Sequence, residues 1–149
     1  LKAAAGLSVD HLLKKRENYR ACFHQFDPVK VAAMRGRRMS KDWYRTPIIR
    51  HRGKIQAIIG NARAYLQMER NGEPFADFVW SFVNHQPQVT QATTLSESPH
   101  LRPLRRLSKA LKKRGFKFVG TTICYSFMQA CGLVNDHVVG CCCYPRNKP

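Results

Sequence analysis

Between Ile48 and Arg70, the residues Ile55, Ile58, Ile59, Ala62, Tyr65 and Leu66 recur three and four positions apart, with Arg and Gln on the opposite face. That spacing lines one face of an α-helix; a strand, whose side chains alternate at every second residue, cannot bury it. Asn71-Gly72 ends the run. The same period returns along the chain. Pro74 opens a helix with Phe75, Phe78, Val79, Phe82 and Val83 on one stripe, and the helical spacing marks these aromatics as core rather than as a platform for stacked bases. Leu104, Leu107 and Leu111 mark a further helix closed by Gly115, and Thr121 to Cys131 forms another before Gly132. Asp27-Pro28 starts a short helix over Val29–Met34, because Asp caps and Pro occupies a first turn that needs no N–H. Arg35–Pro47 has no period and reads as a loop, and polar Asn84–Pro103 reads as a long connection. Alternating apolar runs are almost absent, so the expected fold class is all-α. At 149 residues the chain makes one domain and buries a sizeable core.

Charge narrows the partners. Lys and Arg number 26 against nine acids, a formal charge of +17. Such an excess repels itself unless a polyanion or solvent compensates, and nucleic acid is the first partner it suggests. An anionic membrane surface is second and mere solubility third. No apolar run reaches the ~18–20 residues of a membrane span, and no signal-type cleavage site follows Leu1–Ser8. The chain does not start with Met and is expected to be a fragment or processed piece of a cytoplasmic, monomeric protein. Its six Cys are Cys22, Cys124, Cys131, Cys141, Cys142 and Cys143. Three are adjacent, so thiols or metal ligands are expected rather than disulfides.

One segment has a ligand-binding grammar. In LSKALKKRG-FKFVG-TTICYSFMQACG, an amphipathic helix ends at Gly115, a tight apolar turn runs to Gly120, and a second helix begins at Thr121, a good capping type. The N–H groups of Gly120, Thr121 and Thr122 would be the free donors of a helix start, a seat for an anion. Lys112, Lys113, Arg114 and Lys117 flank it, and Gly120 permits close approach or positive φ. That chemistry suits one DNA phosphate, gripped without reading sequence. An ordinary helix–turn–helix corner has the same outline.

Four long stretches, KKRENYRACFHQFDPVKVAAM, IIRHRGKIQAIIGNARAYLQ, FADFVWSFVNHQPQ and LVNDHVVGCCCYP, resemble DNA-3-methyladenine glycosylase I, a bacterial base-excision repair family of the helix-hairpin-helix superfamily. The resemblance covers Lys14–Met34, Ile48–Glu97 and Leu107–Pro149. It implies an all-α glycosylase fold over residues 1–149, with the helix-hairpin-helix at about 104–131 and a zinc-site tail at 132–149. It also implies hydrolysis of the N-glycosidic bond of 3-methyladenine in alkylated duplex DNA. By the resemblance, Gly6, Leu7, Lys117, Phe118, Val119, Gly120, Thr121 and Thr122 meet DNA. Gly6 and Leu7 would plug the gap left by the flipped base, though plain core packing also suits Leu7.

Related glycosylases place a catalytic Asp where this chain has Asn135, and an amide cannot act as a carboxylate base. A 3-methylated adenine is already cationic and leaves readily, so flipping, binding and desolvation suffice. Asp136 is a second candidate or a helix cap. The pocket Trp of the family is Val9 here, and its Glu and first aromatics are expected to precede Leu1, so the domain is expected to be N-terminally incomplete and its activity impaired. The family's structural zinc implies His137 and Cys141 as ligands, with H-x3-C spacing that sets both on one face of a helical turn. A zinc site closed by four ligands would then be half built. Cys22 and His24 are a substitute pair by type alone, and Cys142 and Cys143 are bystanders.

Arg35–Pro47, Ser98–Arg106 and Leu1–His11 depart from the family with sharp edges, as a shifted reading frame or a splice would produce. The two internal windows hold eight of the 26 basic residues. The competing readings are a non-enzymatic helix-hairpin-helix DNA-binding module and a zinc- or ribosomal-RNA-binding protein.

Overall fold

The computed structural model describes residues 13–34, 48–49, 51–89, 101–138 and 140–142. Among the described residues, six α-helices carry the fold: α1 (Arg16–Cys22), α2 (Pro28–Ala33), α3 (Arg52–Arg70), α4 (Phe75–Trp80), α5 (Leu101–Lys113) and α6 (Thr121–Ala130). The expected all-α class is the observed one. The expectations placed on Leu1–His11 (Gly6, Leu7 and Val9 among them), Arg35–Pro47 and Cys143 lie outside the described residues.

Local chemistry explains the helix ends. Asp27 accepts the N–H groups of Val29 (2.9 Å) and Lys30 (3.2 Å), capping α2 as expected. The helix expected from Ile48 begins at Arg52, because His51 is extended and its Nδ1 accepts the Lys54 N–H at 3.1 Å. Ile48 is instead buried with Tyr19, Phe23, Val31, Ile55 and Ile59, and the Tyr19 hydroxyl accepts the Ile49 N–H at 3.2 Å to hold it there. Burial pushes the Tyr19 phenol above its ordinary pKa. Arg63 donates to the carbonyls of Ala32 and Met34, closing the C-terminal end of α2.

The larger core gathers Phe78 and Val79 of α4, Leu104, Leu107 and Leu111 of α5, Cys124 and Met128 of α6, and Leu133 and Val134 beyond it. Helix α3 joins both clusters, giving Ile55 and Ile59 to the first and Met68 to the second. The stripe from Phe75 to Val83 is core, as its spacing predicts, although its last turn tightens to a 3₁₀ helix over Ser81–Val83.

Two features correct the sequence reading. Helix α5 starts at Leu101, inside the stretch read as a connection. Pro103 sits in its first turn, where an N–H has no intrahelical partner. Part of the divergent Ser98–Arg106 window therefore supplies Leu104 to the core. A short parallel ladder also pairs β1 (Gln88–Val89) with β2 (Val134–Asn135), Gln88 opposite Val134 and Val89 opposite Asn135. Two residues are too few for alternation to reveal.

Candidate nucleic-acid interface

Helices α5 and α6 pack against one another, joined by the turn from Arg114 to Gly120. Gly115 (φ +86) makes the C-terminal cap of α5: its N–H bonds to the Lys112 carbonyl and the Phe116 N–H to that of Leu111. Phe116 and Val119 then turn into the core and leave Lys117 and Phe118 outward, with Phe118 39% exposed. The positive φ of the turn falls at Phe118 (+56), not at Gly120 (φ −63). No atom lies within 4 Å of where a Gly120 Cβ would stand. This corrects one expectation, since the backbone at Gly120 suits any residue and only close approach by a ligand would require glycine.

Gly120 is the N-cap of α6, and no side chain caps that helix. Thr121, expected as a capping type, is the first helical residue instead. The first N–H groups of α6 therefore have no intrahelical partner, and they lie beside exposed Lys117, Thr121 and Thr122. Lys112 and Lys113 are exposed on the last turn of α5. Arg114 is engaged elsewhere. Its Nε donates to Glu73 Oε2 at 2.8 Å, a second nitrogen donates to Oε1, and the guanidinium lies 4.1 Å from the centroid of the Phe78 ring. Those bonds hold the Glu73 carboxyl below its ordinary pKa. Three lysines, not four cations, are left to face a ligand at this turn.

The turn is held from beneath by groups the sequence reading missed. Asn61, buried in α3, donates to the Lys117 carbonyl (3.2 Å) and accepts the Lys117 N–H (2.9 Å). Ser108, buried in α5, donates to the Val119 carbonyl at 2.6 Å, which also receives the Cys124 thiol at 3.5 Å. The His51 ring meets Phe118 edge-on. The only sequence trace of the two main grips is a polar residue set in an apolar stripe.

The second predicted cluster follows α6. Asn135 Oδ1 accepts the His137 N–H at 3.1 Å. Asp136, weighed as a helix cap, precedes no described helix; its carboxylate accepts the Tyr125 hydroxyl and, at 3.4 Å, the Gln129 amide. Cys141 Sγ lies 3.5 Å from His137 Nδ1. The Cys141 N–H bonds to the Val138 carbonyl at 3.0 Å, and neither His137 nor Cys141 lies in a described helix, whereas H-x3-C spacing suggests a helical turn. The separation fits two corners of a zinc tetrahedron, which stand about 3.6 Å apart when Zn–S is about 2.3 Å and Zn–N about 2.0–2.1 Å. Among the described residues no group of three or more candidate ligands forms, so Cys22 and His24 do not complete the pair. Cys22 instead packs against the Tyr19–Phe23 cluster. No described helix is long and apolar enough to cross a membrane.

A family model described as methyladenine glycosylase matches residues 1–144. The chain is 80% identical over 146 residues to the DNA-3-methyladenine glycosylase 1 of Escherichia coli (strain K12), covering 97% of this chain and 78% of that protein. It is similar to a crystal structure of 3-methyladenine DNA glycosylase I with a TM-score of 0.89 and 67% identity, over 97% of this chain and 80% of the other. A variant of 3-methyladenine DNA glycosylase I in complex with 3-methyladenine has a TM-score of 0.87 at 36% identity, over 99% and 80%.

Proposed function

This chain belongs to the methyladenine glycosylase family, and from that membership we propose that it flips 3-methyladenine out of alkylated duplex DNA and cleaves its bond to the sugar. The enzyme class is a hydrolytic DNA N-glycosylase of base-excision repair. The observation that carries it is 80% identity spread over 97% of the chain, which favours the glycosylase over a hairpin that only binds DNA.

The chemistry suits the residues. A 3-methylated adenine carries a positive charge, so when the C1′–N9 bond breaks the bonding pair goes to N9 and the base departs neutral. Water adds to C1′ and loses a proton. No strong base is needed at Asn135, whose amide is engaged in shaping the following turn. The hairpin would hold the strand: outward N–H groups at Gly120, Thr121 and Thr122 meet a phosphate, and Lys117 adds charge. Lys117, Phe118 and Val119 carry that contact. Gly6 and Leu7 would fill the gap in the duplex.

Val9 replaces the family's pocket Trp, so removal is slower than in a relative that keeps it. One base-stacking contact is worth about 1–3 kcal/mol. His137 and Cys141 would supply two ligands to a structural zinc, which would tie down the chain after α6. Two ligands alone hold the ion weakly, and a mild chelator should strip it. The protein would act as a cytoplasmic monomer.

Mass spectrometry of free base released from methylated duplex DNA tests the reading. The chain should release 3-methyladenine, and Val9→Trp should raise the rate by roughly 5- to 150-fold. Abundant DNA binding with no base released by either form would overturn it.

A further inference from the structure

We propose that Asn61 is a positioning residue for DNA binding, gripping the Lys117 peptide so that the hairpin turn meets the phosphate in one fixed geometry. The proposal rests on the reading of that turn as the DNA contact.

Asn61 lies on α3, 56 residues from Lys117 of the turn in sequence, yet it answers both polar groups of one residue's backbone. The amide donates to the Lys117 carbonyl and accepts its N–H. A carboxamide has one donor face and one acceptor face, and here both are used on one residue. Asn61 is 93% buried (7% exposed), and no buried side-chain N or O atom among the described residues lacks a partner. A buried amide in the apolar stripe of α3 is costly unless such partners exist.

What the grip fixes is the next residue. Phe118 adopts φ +56, a conformation that L side chains seldom hold unless neighbours dictate it. It is fastened on both sides, Lys117 by Asn61 and the Val119 carbonyl by Ser108 at 2.6 Å. His51 closes the edge of the Phe118 ring. Released from Asn61, the turn would relax toward ordinary φ at Phe118 and swing the Lys117 side chain and the α6 N–H groups away from a shared phosphate.

Asn61→Asp keeps the acceptor for the Lys117 N–H but sets oxygen against the Lys117 carbonyl. Ser108→Ala releases the other side of the turn and serves where Asn61→Asp does not fold. Affinity of the full chain for a fluorescein-labelled duplex is followed across a salt series, well below each variant's melting midpoint. Folded Asn61→Asp, or Ser108→Ala in its place, should bind about fivefold or more weakly with a salt slope smaller by about one. Combined with Lys117→Ala, the further loss should be much smaller than the product of the single losses. A role confined to stability would lower the melting temperature and leave affinity and slope as in the parent, and that result overturns the proposal. Lys117→Ala separates the two claims. If it binds like the parent, the hairpin reading itself fails. If it binds weakly while the folded Asn61 and Ser108 variants bind normally, only the positioning role fails.

Discussion

Glu73 and Arg114 show how much a single pair governs at this corner. The two hydrogen bonds from the guanidinium favour the charged carboxylate and hold its pKa below the ordinary 4.5 in the folded state. The sign follows from linkage: stability from the pair is present above the unfolded value and is lost as pH falls through the lower folded one. Glu73→Gln should therefore melt below the parent at neutral pH, and the gap should close as pH falls below the ordinary 4.5 and through the lower folded value, where the parent's Glu73 also protonates. Thermal melting followed from pH 7 to pH 3 measures both. The same pair explains why a reading of charges alone overcounts cations at the turn. Arg114 lies among lysines in sequence, and its partner Glu73 is 41 residues away. At α2, the partners of Asp27 among the described residues are local, and there sequence and structure agree. Asp27→Ala should cost about 0.5–2 kcal/mol in chemical denaturation, with the loss confined to one cap.

At the scale of elements, two glycines bound one turn and should behave differently. Gly115 has φ +86, which a Cβ disfavours, so Gly115→Ala should destabilise the chain by about 1 kcal/mol or more. Gly120 has φ −63 and open space around it, so Gly120→Ala should leave the melting temperature nearly unchanged. Any fall in its DNA affinity would then report close approach by the ligand. Helix periods were legible because each rests on residues three and four apart. Boundaries were less so: Ile48 looks continuous with α3 by pattern, but its burial with Tyr19 and Phe23 and the His51 cap put the first turn at Arg52. The hairpin's outline was legible from Gly115, Gly120 and the lysines. Its supports were not, since Asn61 and Ser108 act through the backbone of residues distant in sequence. The same limit hid the β1–β2 ladder and the Tyr125–Asp136 bond.

Across the whole molecule, the large core sits directly under the hairpin, with Leu107, Phe116, Val119 and Met128 in one cluster. Leu107 and Met128 are fully enclosed. Leu107→Ala should cost about 2–5 kcal/mol, and the loss should be read in denaturation midpoints before any loss of DNA binding in the folded fraction. In the proposed function, binding and base removal are joined through the turn that this core supports. The central claim is therefore tested most directly by one measurement: the single-turnover rate of 3-methyladenine release from alkylated duplex at subsaturating enzyme, taken across a salt series for the parent and Lys117→Ala. The parent should release the base with a steep salt dependence, and Lys117→Ala should release it more slowly with a log–log slope lower by about one. No release by the parent, or identical rates and slopes for the two chains, would contradict the account.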